Sequence, residues 1–264
     1  MTFAIVVFPG SNCDRDCKVA IERSTGAQVE MVWHGDTALP AGLDLIVLPG
    51  GFSYGDYLRC GAMAAHSPIM REVKAAAAKG TPVLAVCNGF QIAVQAGLLP
   101  GPESGEEWSS VPTEPTVALA QNATARFNDI WTTMEIPTGT RCVWTRGLKM
   151  DADTALMPCA HGEGRFVADE ETIEALEANG QVAVRYGASD HFNGSINRIA
   201  GICDATGLVF GLMPHPERYL HWTQHPRWTR LAAAQRTGDA PGLQMFKNAV
   251  AHAAKARTVT GGKR

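Results

Sequence analysis

Pro82-Val83-Leu84-Ala85-Val86-Cys87-Asn88-Gly89-Phe90-Gln91 is the stretch on which the reading of this chain turns. Val83 to Val86 is a short apolar run of the kind that forms a buried strand, and it stops at a cysteine. The residues from Phe90 to Ala96 suit a helix. A chain that passes from strand to helix this quickly lifts the residue at the turn above the sheet edge, toward the N-terminus of the next helix. Free N–H groups and partial positive charge there favour a thiolate, the reactive form of cysteine. Gly89 supplies the bend where a side chain would clash. Cys87 is therefore a candidate nucleophile. The alternative is a buried structural cysteine, the ordinary fate of a free thiol.

The same alternation continues on both sides of the turn. Residues 3–8 are a continuous apolar run suited to a strand covered on both faces, and 29–33 and 44–48 read as a second and a third strand. Residues 14–24 carry helical spacing, as do 73–79, a stretch opened by Ser67-Pro68 and closed by Gly80. Downstream, 117–121, 129–136 and 141–144 alternate like half-exposed strands. Residues 170–178 read as a short helix, 181–186 as a strand, and 199–203 with 208–212 as a hairpin across Asp204-Ala205-Thr206-Gly207. A last helix spans 242–253, and 100–115, rich in Gly, Pro, Glu and Ser, is an exposed connection. The expected fold is α/β: a mostly parallel open sheet with helices on both faces (flavodoxin-like) and an antiparallel extension.

Two further stretches carry chemistry. The third strand runs into Pro49-Gly50-Gly51-Phe52-Ser53-Tyr54-Gly55-Asp56-Tyr57, a glycine turn at the strand edge where open α/β sheets bind ligands. The hairpin delivers Met213-Pro214-His215-Pro216-Glu217-Arg218, in which two prolines flank a histidine and a carboxylate lies two residues on. Taken singly, the first is also an ordinary tight turn and the second a structural histidine. Together with Cys87 they supply a nucleophile, a base that can return its proton to a leaving group, and a carboxylate that orients the base. Amides of Asn88 and Gly51 are placed to receive an oxyanion, and each such donor is worth about a hundred- to a thousandfold in rate. The constellation points to acyl transfer.

Composition narrows the alternatives. The 264 residues are 45% hydrophobic and 19% charged with a formal net charge of −3, which leaves no basic footprint for nucleic acid. The seven cysteines (Cys13, Cys17, Cys60, Cys87, Cys142, Cys159, Cys203) are odd in number and scattered, and Cys13 and Cys17 have no second pair to complete a zinc set. A reduced, cytoplasmic setting is expected. The opening residues lack a basic n-region and read as a strand rather than a signal peptide, and no stretch suits a membrane span. A single domain over 1–264 is expected, with a possible extension at 219–264.

Pro49-Gly50-Gly51, Cys87-x-Gly89 with Gln91, and His215-x-Glu217 resemble the class I, triad-type glutamine amidotransferase family. Gly10-Ser11-Asn12-Cys13-Asp14, Gly51-Phe52-Ser53-Tyr54-Gly55-Asp56-Tyr57-Leu58-Arg59, His161-Gly162-Glu163-Gly164 and Pro214-His215-Pro216-Glu217-Arg218 narrow the resemblance to its purine-biosynthetic branch. The likeness runs in order from residue 3 to about 218. It implies a glutaminase with Cys87, His215 and Glu217 as catalytic residues, and glutamine held by Gly50, Gly51 and Gln91. It implies no cofactor in this chain; ATP and Mg belong to a separate synthetase subunit that makes formylglycinamidine ribonucleotide, with a small accessory subunit beside it. The main rival is another class I glutaminase, feeding a different synthetase such as those for CTP, GMP or anthranilate; Tyr54-Gly55-Asp56-Tyr57 and His161-Gly162-Glu163-Gly164 argue against it. A non-enzymatic α/β protein with a reactive cysteine would need neither His215 nor Glu217. The chain departs from the family at Ala85, where a glycine is usual, and in longer stretches at 187–193 and 219–241. The second carries Trp222, Trp228, Arg227, Arg230 and Arg236, types enriched at interfaces. It either faces a partner or packs under the last helix.

Overall fold

Apolar runs with no polar alternation make strands that need cover on both faces, and the centre of this molecule is built from them. The computed structural model describes residues 1–103, 105–109, 114–148, 150–151, 153–189 and 192–261. In chain order the elements are β1 (Thr2–Val7), α1 (Asp14–Thr25), β2 (Val29–Trp33), β3 (Leu43–Leu48), α2 (Ala62–Ala65), α3 (Pro68–Ala78), β4 (Val83–Val86) and α4 (Asn88–Gln95). They continue with β5 (Val117–Ala120), β6 (Asn128–Glu135), β7 (Leu156–His161), β8 (Arg165–Ala168), α5 (Glu170–Ala178), β9 (Val182–Tyr186), β10 (Ile199–Cys203), β11 (Val209–Leu212) and α6 (Pro241–Gly261).

Nine strands form one sheet in the order β2-β1-β3-β4-β11-β10-β9-β6-β7, and β5 pairs with β8 apart from it. The half from β2 to β11 is parallel. From β11 onward every pairing is antiparallel, which is the expected extension. All four residues of β4 are buried, as are Phe3, Ala4, Ile5 and Val6 of β1, so both faces of the parallel half are covered. On α1, Cys17, Ala20 and Ile21 turn inward, and the helix packs against α6. α4 packs on β3, β4 and β11. Its approach is so close that a Cβ on Gly89 would stand 2.0 Å from the Leu48 carbonyl oxygen. No helix among the described residues is long and apolar enough to cross a membrane.

Four differences from the sequence expectations have physical causes. Residues 141–144 form no strand: their apolar side chains plug the space under the β10–β11 hairpin, where Trp144 Nε1 donates to the Leu208 carbonyl at 2.9 Å. β7 and β8 arise where only the turn between them was read. Pro158 speaks against a strand, but β7 lies at the sheet edge, where a missing N–H is tolerated. Ser67 does not cap α3 through its side chain; its Oγ lies 3.2 Å from His34 Nδ1, and the helix opens on Pro68. The last helix is longer than 242–253. In the 219–241 stretch, Trp222 packs edge-on against Tyr219 and donates to the Gly238 carbonyl, whereas Trp228 is exposed. Residues 104 and 110–113 of the 100–115 connection and 190–191 of the 187–193 stretch lie outside the described residues.

Candidate active site

Parallel strands place the loops at their C-terminal ends on one edge, and here the loops after β1, β3, β4 and β11 meet. Cys87 is the single residue between β4 and α4. Its backbone, at φ 50° and ψ −107°, lies in a region that non-glycine residues rarely visit, at a cost of about 1–3 kcal/mol. Neighbouring bonds hold it there. Its N–H donates to the Leu212 carbonyl at 2.7 Å, and its carbonyl accepts from the Phe90 and Gln91 amides. Sγ points toward the Ala160 carbonyl, 3.6 Å away on β7.

β11 feeds directly into His215, whose N–H donates to the Pro158 carbonyl at 2.8 Å. The proline that hides β7 in the sequence thus supplies the acceptor that fixes the histidine backbone. Glu217 sits in the 3-10 turn Pro216–Arg218, 2% exposed, and its Oε1 lies 2.6 Å from His215 Nδ1. That bond assigns a ring hydrogen to Nδ1 and leaves Nε2 free to exchange the catalytic proton; neither Nε2 nor Glu217 Oε2 has a partner among the described residues. Burial alone would push His215 down, but the Glu217 carboxylate, with Cys87 and Cys13, outweighs it and holds the imidazolium well above the ordinary range.

Gly50 shows how tightly these groups converge. A Cβ there would lie 3.0 Å from His215 Cε1 and 3.4 Å from Cys87 Cβ. Gly51 has φ +141°, and a Cβ on it would meet the Asn12 amide and the Gly10 carbonyl at 2.7 Å. Only glycine fits. Asn88 and Gln91 lie beside this turn: Asn88 Oδ1 accepts from the Ser53 amide at 3.1 Å, and Asn88 Nδ2 donates to Gln91 Oε1 at 2.9 Å. Gln91 Nε2 in turn donates to the Glu163 carbonyl at 2.6 Å. The structure therefore brings Cys87, His215, Glu217, Gly50, Gly51, Asn88 and Gln91 into one contiguous neighbourhood.

The wall opposite Gln91 is the β7–β8 turn, whose sequence signature was visible but whose role was not. His161 Nδ1 donates to Asn122 Oδ1 at 3.1 Å, and Asn193 Nδ2 donates to the Gly164 carbonyl at 3.0 Å. Burial, aided by the nearby His215 charge, lowers His161 to about 4, so the ring is a neutral strut. Near Gln91, burial raises Asp56, and burial together with the Glu163 and Asp56 carboxylates pushes the Cys60 thiol well up. The one group of metal-type donors among the described residues is Cys13, His215 and Glu217, within 4.8 Å of one another. Arg218 Nη2–H is donated to Cys13 Sγ at 2.9 Å, and His215 Nδ1 and Glu217 Oε1 are engaged with each other. A guanidinium at the sulfur also opposes a cation, so the donors suit proton transfer better than a metal.

Comparison with known proteins gives a consistent result. The CobB/CobQ-like glutamine amidotransferase domain family matches residues 1–253. The phosphoribosylformylglycinamidine synthase subunit PurQ of Trichormus variabilis is 49% identical over 249 residues, 94% of this chain and 96% of its own length. That of Chlorobaculum tepidum is 44% identical over 263 residues, covering 97% of this chain and 99% of its own. Among solved structures, PurLQS from Thermotoga maritima contains a chain that superposes with a TM-score of 0.71 at 33% identity, covering 95% of this chain and 98% of that one. A glutamine amidotransferase from Thermotoga maritima, at 13% identity and a TM-score of 0.55, shares the fold.

Proposed function

This chain belongs to the CobB/CobQ-like glutamine amidotransferase family, and we propose that it is the glutaminase subunit of phosphoribosylformylglycinamidine synthase. It hydrolyses glutamine to glutamate and ammonia and passes the ammonia to a synthetase subunit. That subunit converts formylglycinamide ribonucleotide to formylglycinamidine ribonucleotide in purine biosynthesis, with a small accessory subunit completing the assembly. ATP and Mg act on the synthetase, and this chain needs no cofactor of its own. Seven unpaired cysteines suit a reducing cytoplasm.

The observation that carries the mechanism is the 2.6 Å His215–Glu217 bond beside the Cys87 turn. The sulfur of Cys87, paired with the His215 imidazolium that carries the proton on Nε2, attacks the side-chain carboxamide of glutamine. Negative charge develops on the amide oxygen and is received by the backbone N–H groups of Asn88 and Gly51. His215 returns the proton to the leaving nitrogen, ammonia departs, and a γ-glutamyl thioester remains on Cys87. Water, deprotonated by His215, attacks the thioester; the sulfur leaves with a proton and glutamate is released. Glu217, bonded to Nδ1, orients the ring and stabilises the imidazolium at both steps. Gln91, fixed between Asn88 and the Glu163 carbonyl, and the Gly50-Gly51 turn hold the substrate.

Cys87→Ala in the reconstituted complex tests this reading. Glutamine-dependent synthesis is expected to fall to background while synthesis from added ammonium salt persists. Equal loss of both activities would overturn it.

A further inference from the structure

Cys13 lies beside the triad without a part in the chemistry above. It directly precedes α1, is 2% exposed, and its N–H donates to the Gly50 carbonyl at 3.3 Å. Its sulfur would stand 3.3 Å from a Cβ on Gly50, the same point that falls 3.0 Å from His215 Cε1. Sγ, a His215 ring nitrogen and a Glu217 carboxylate oxygen all lie within 4.8 Å of one another. On its other side Arg218 donates Nη2–H to Sγ at 2.9 Å, while Arg218 Nε is 3.9 Å from Glu217 Oε1 and 3.6 Å from Asp16 Oδ2. A thiol that served only to fill space would not need a guanidinium N–H aimed at it.

We propose that Cys13 and Arg218 form a positioning pair behind the triad, in which the sulfur, held by the guanidinium, keeps the His215 imidazole against Glu217 and supports its positive charge during proton transfer. The proposal rests on the Cys87–His215–Glu217 reading and adds a residue that does not touch substrate. Arg218 ties the sulfur to the carboxylate that orients the ring, so rotation of one of the three disturbs the other two. The soft, electron-rich sulfur lies against the ring as it becomes an imidazolium. Cys13 is among the groups that hold His215 above the ordinary histidine range.

The other titratable groups facing His215 are Glu217 and Arg218 on its own turn, Asp16 on α1, Cys87 at the β4–α4 turn, and Cys159 and His161 on β7. Cys17 lies further back, its thiol raised by burial and then by the Glu217 carboxylate. Glu217 and Cys13 both lie between the imidazole and the guanidinium, and Cys13 is the one with no part in the chemistry above. Its contribution has a definite sign: without the sulfur the imidazolium loses a favourable neighbour and gives up its proton at lower pH.

The test uses the reconstituted complex with Cys13→Ala and Cys13→Ser, reading glutaminase kcat, KM and the pH dependence of kcat. Cys13→Ala is expected to lower kcat by about ten- to a hundredfold, the scale of a displaced catalytic group, with KM within about twofold. The alkaline limb of its profile moves to lower pH. Cys13→Ser keeps an acceptor with shorter reach and recovers part of both effects. Ammonium-supported synthesis stays unchanged in both variants, which shows that the complex assembles. A Cys13→Ala profile that superimposes on the parent, with kcat within about twofold, would overturn the proposal, as would equal losses in both variants with an unmoved limb. Should Cys13→Ala fail to fold, Cys13→Ser carries the test: a shifted limb supports the pair and an unshifted one refutes it. Cys87→Ala run alongside keeps the two readings separate, because retained glutamine turnover there would strike the triad itself.

Discussion

At Gly50 a hydrogen atom stands where any side chain would enter the space between nucleophile and base. A methyl group 3.0 Å from His215 Cε1 and 3.4 Å from Cys87 Cβ cannot be absorbed by rotating His215, whose Nδ1 is held by Glu217 and whose N–H is held by Pro158. Gly50→Ala is expected to lower glutaminase kcat by about a hundredfold, the effect of an ångström-scale misplacement, while the thermal midpoint moves by only a few degrees. Steady-state kinetics and a thermal melt check both parts; a kcat within threefold of the parent would mean that His215 has room to yield. At this scale the sequence was informative because the chemistry lies in side chains of distinctive type. Cys87, His215 and Glu217 could be named from residue type and strand-end position. The backbone acceptors that fix Cys87 and His215, the carbonyls of Leu212, Ala160 and Pro158, could not, since every residue has a carbonyl.

The β7–turn–β8 element was legible as a motif and not as structure, because Pro158 breaks the strand signal and the role of Asn122 and Asn193 depends on chain segments far away. Its keystone, His161, gives the element a pH signature. Burial holds the folded-state value at about 4 against an unfolded value near 6.5, so the unfolded chain binds the proton first. This contribution is fully present above about pH 6.5 and is lost as the pH falls toward 4, amounting to roughly 3 kcal/mol. His34, His225 and His252 are also lowered by burial and add to the same slope. Urea denaturation from pH 4 to 7 is therefore expected to show a shallower pH dependence in His161→Gln than in the parent, although the variant is less stable at neutral pH. Parallel curves would show that His161 is not the neutral strut described. The 219–241 stretch resolves into two kinds of tryptophan at the same scale. Trp222→Ala removes the Gly238 hydrogen bond and the face against buried Tyr219, and is expected to lower the thermal midpoint by about 2–8 °C, some 1–2 kcal/mol. Trp228, 38% exposed with Arg236 5.8 Å from its ring, should leave the midpoint unchanged when replaced by alanine and weaken only synthetase binding. A midpoint drop of equal size in Trp228→Ala would place both in the core.

Across the whole molecule the centre of the parallel half of the sheet was readable because β1, β3 and β4 are apolar runs, each ending in a loop with its own signature. The tie between the last helix and the site was not readable, since it joins residues with no shared pattern. α6 packs on α1, on β3 and on the 3-10 turn that carries Glu217. It is anchored by Met245, Phe246 and Ala249, each at most 1% exposed, and by an Arg257–Asp44 ion pair at 2.5 Å. At its start the backbones press together: a Cβ on Gly242 would lie 2.0 Å from the Pro216 carbonyl oxygen and 2.4 Å from that of Tyr219. Both obstacles are main chain, so a methyl group there must displace either the helix or the turn. The helix is fixed along its length, whereas the turn is three residues long, so the turn should move and take the Glu217 carboxylate with it. Gly242→Ala is therefore expected to cost glutaminase kcat at least about tenfold, beyond what a modest fall in thermal midpoint explains, with ammonium-supported synthesis in the complex retained. The comparison that decides it is Phe246→Ala, which opens a cavity in the same helix and should cost about 3–5 kcal/mol of stability without touching the turn. If Phe246→Ala, assayed well below its melting point, loses as much kcat as Gly242→Ala, then α6 acts on the site only through global stability and the bracing contact at Pro216 is incidental.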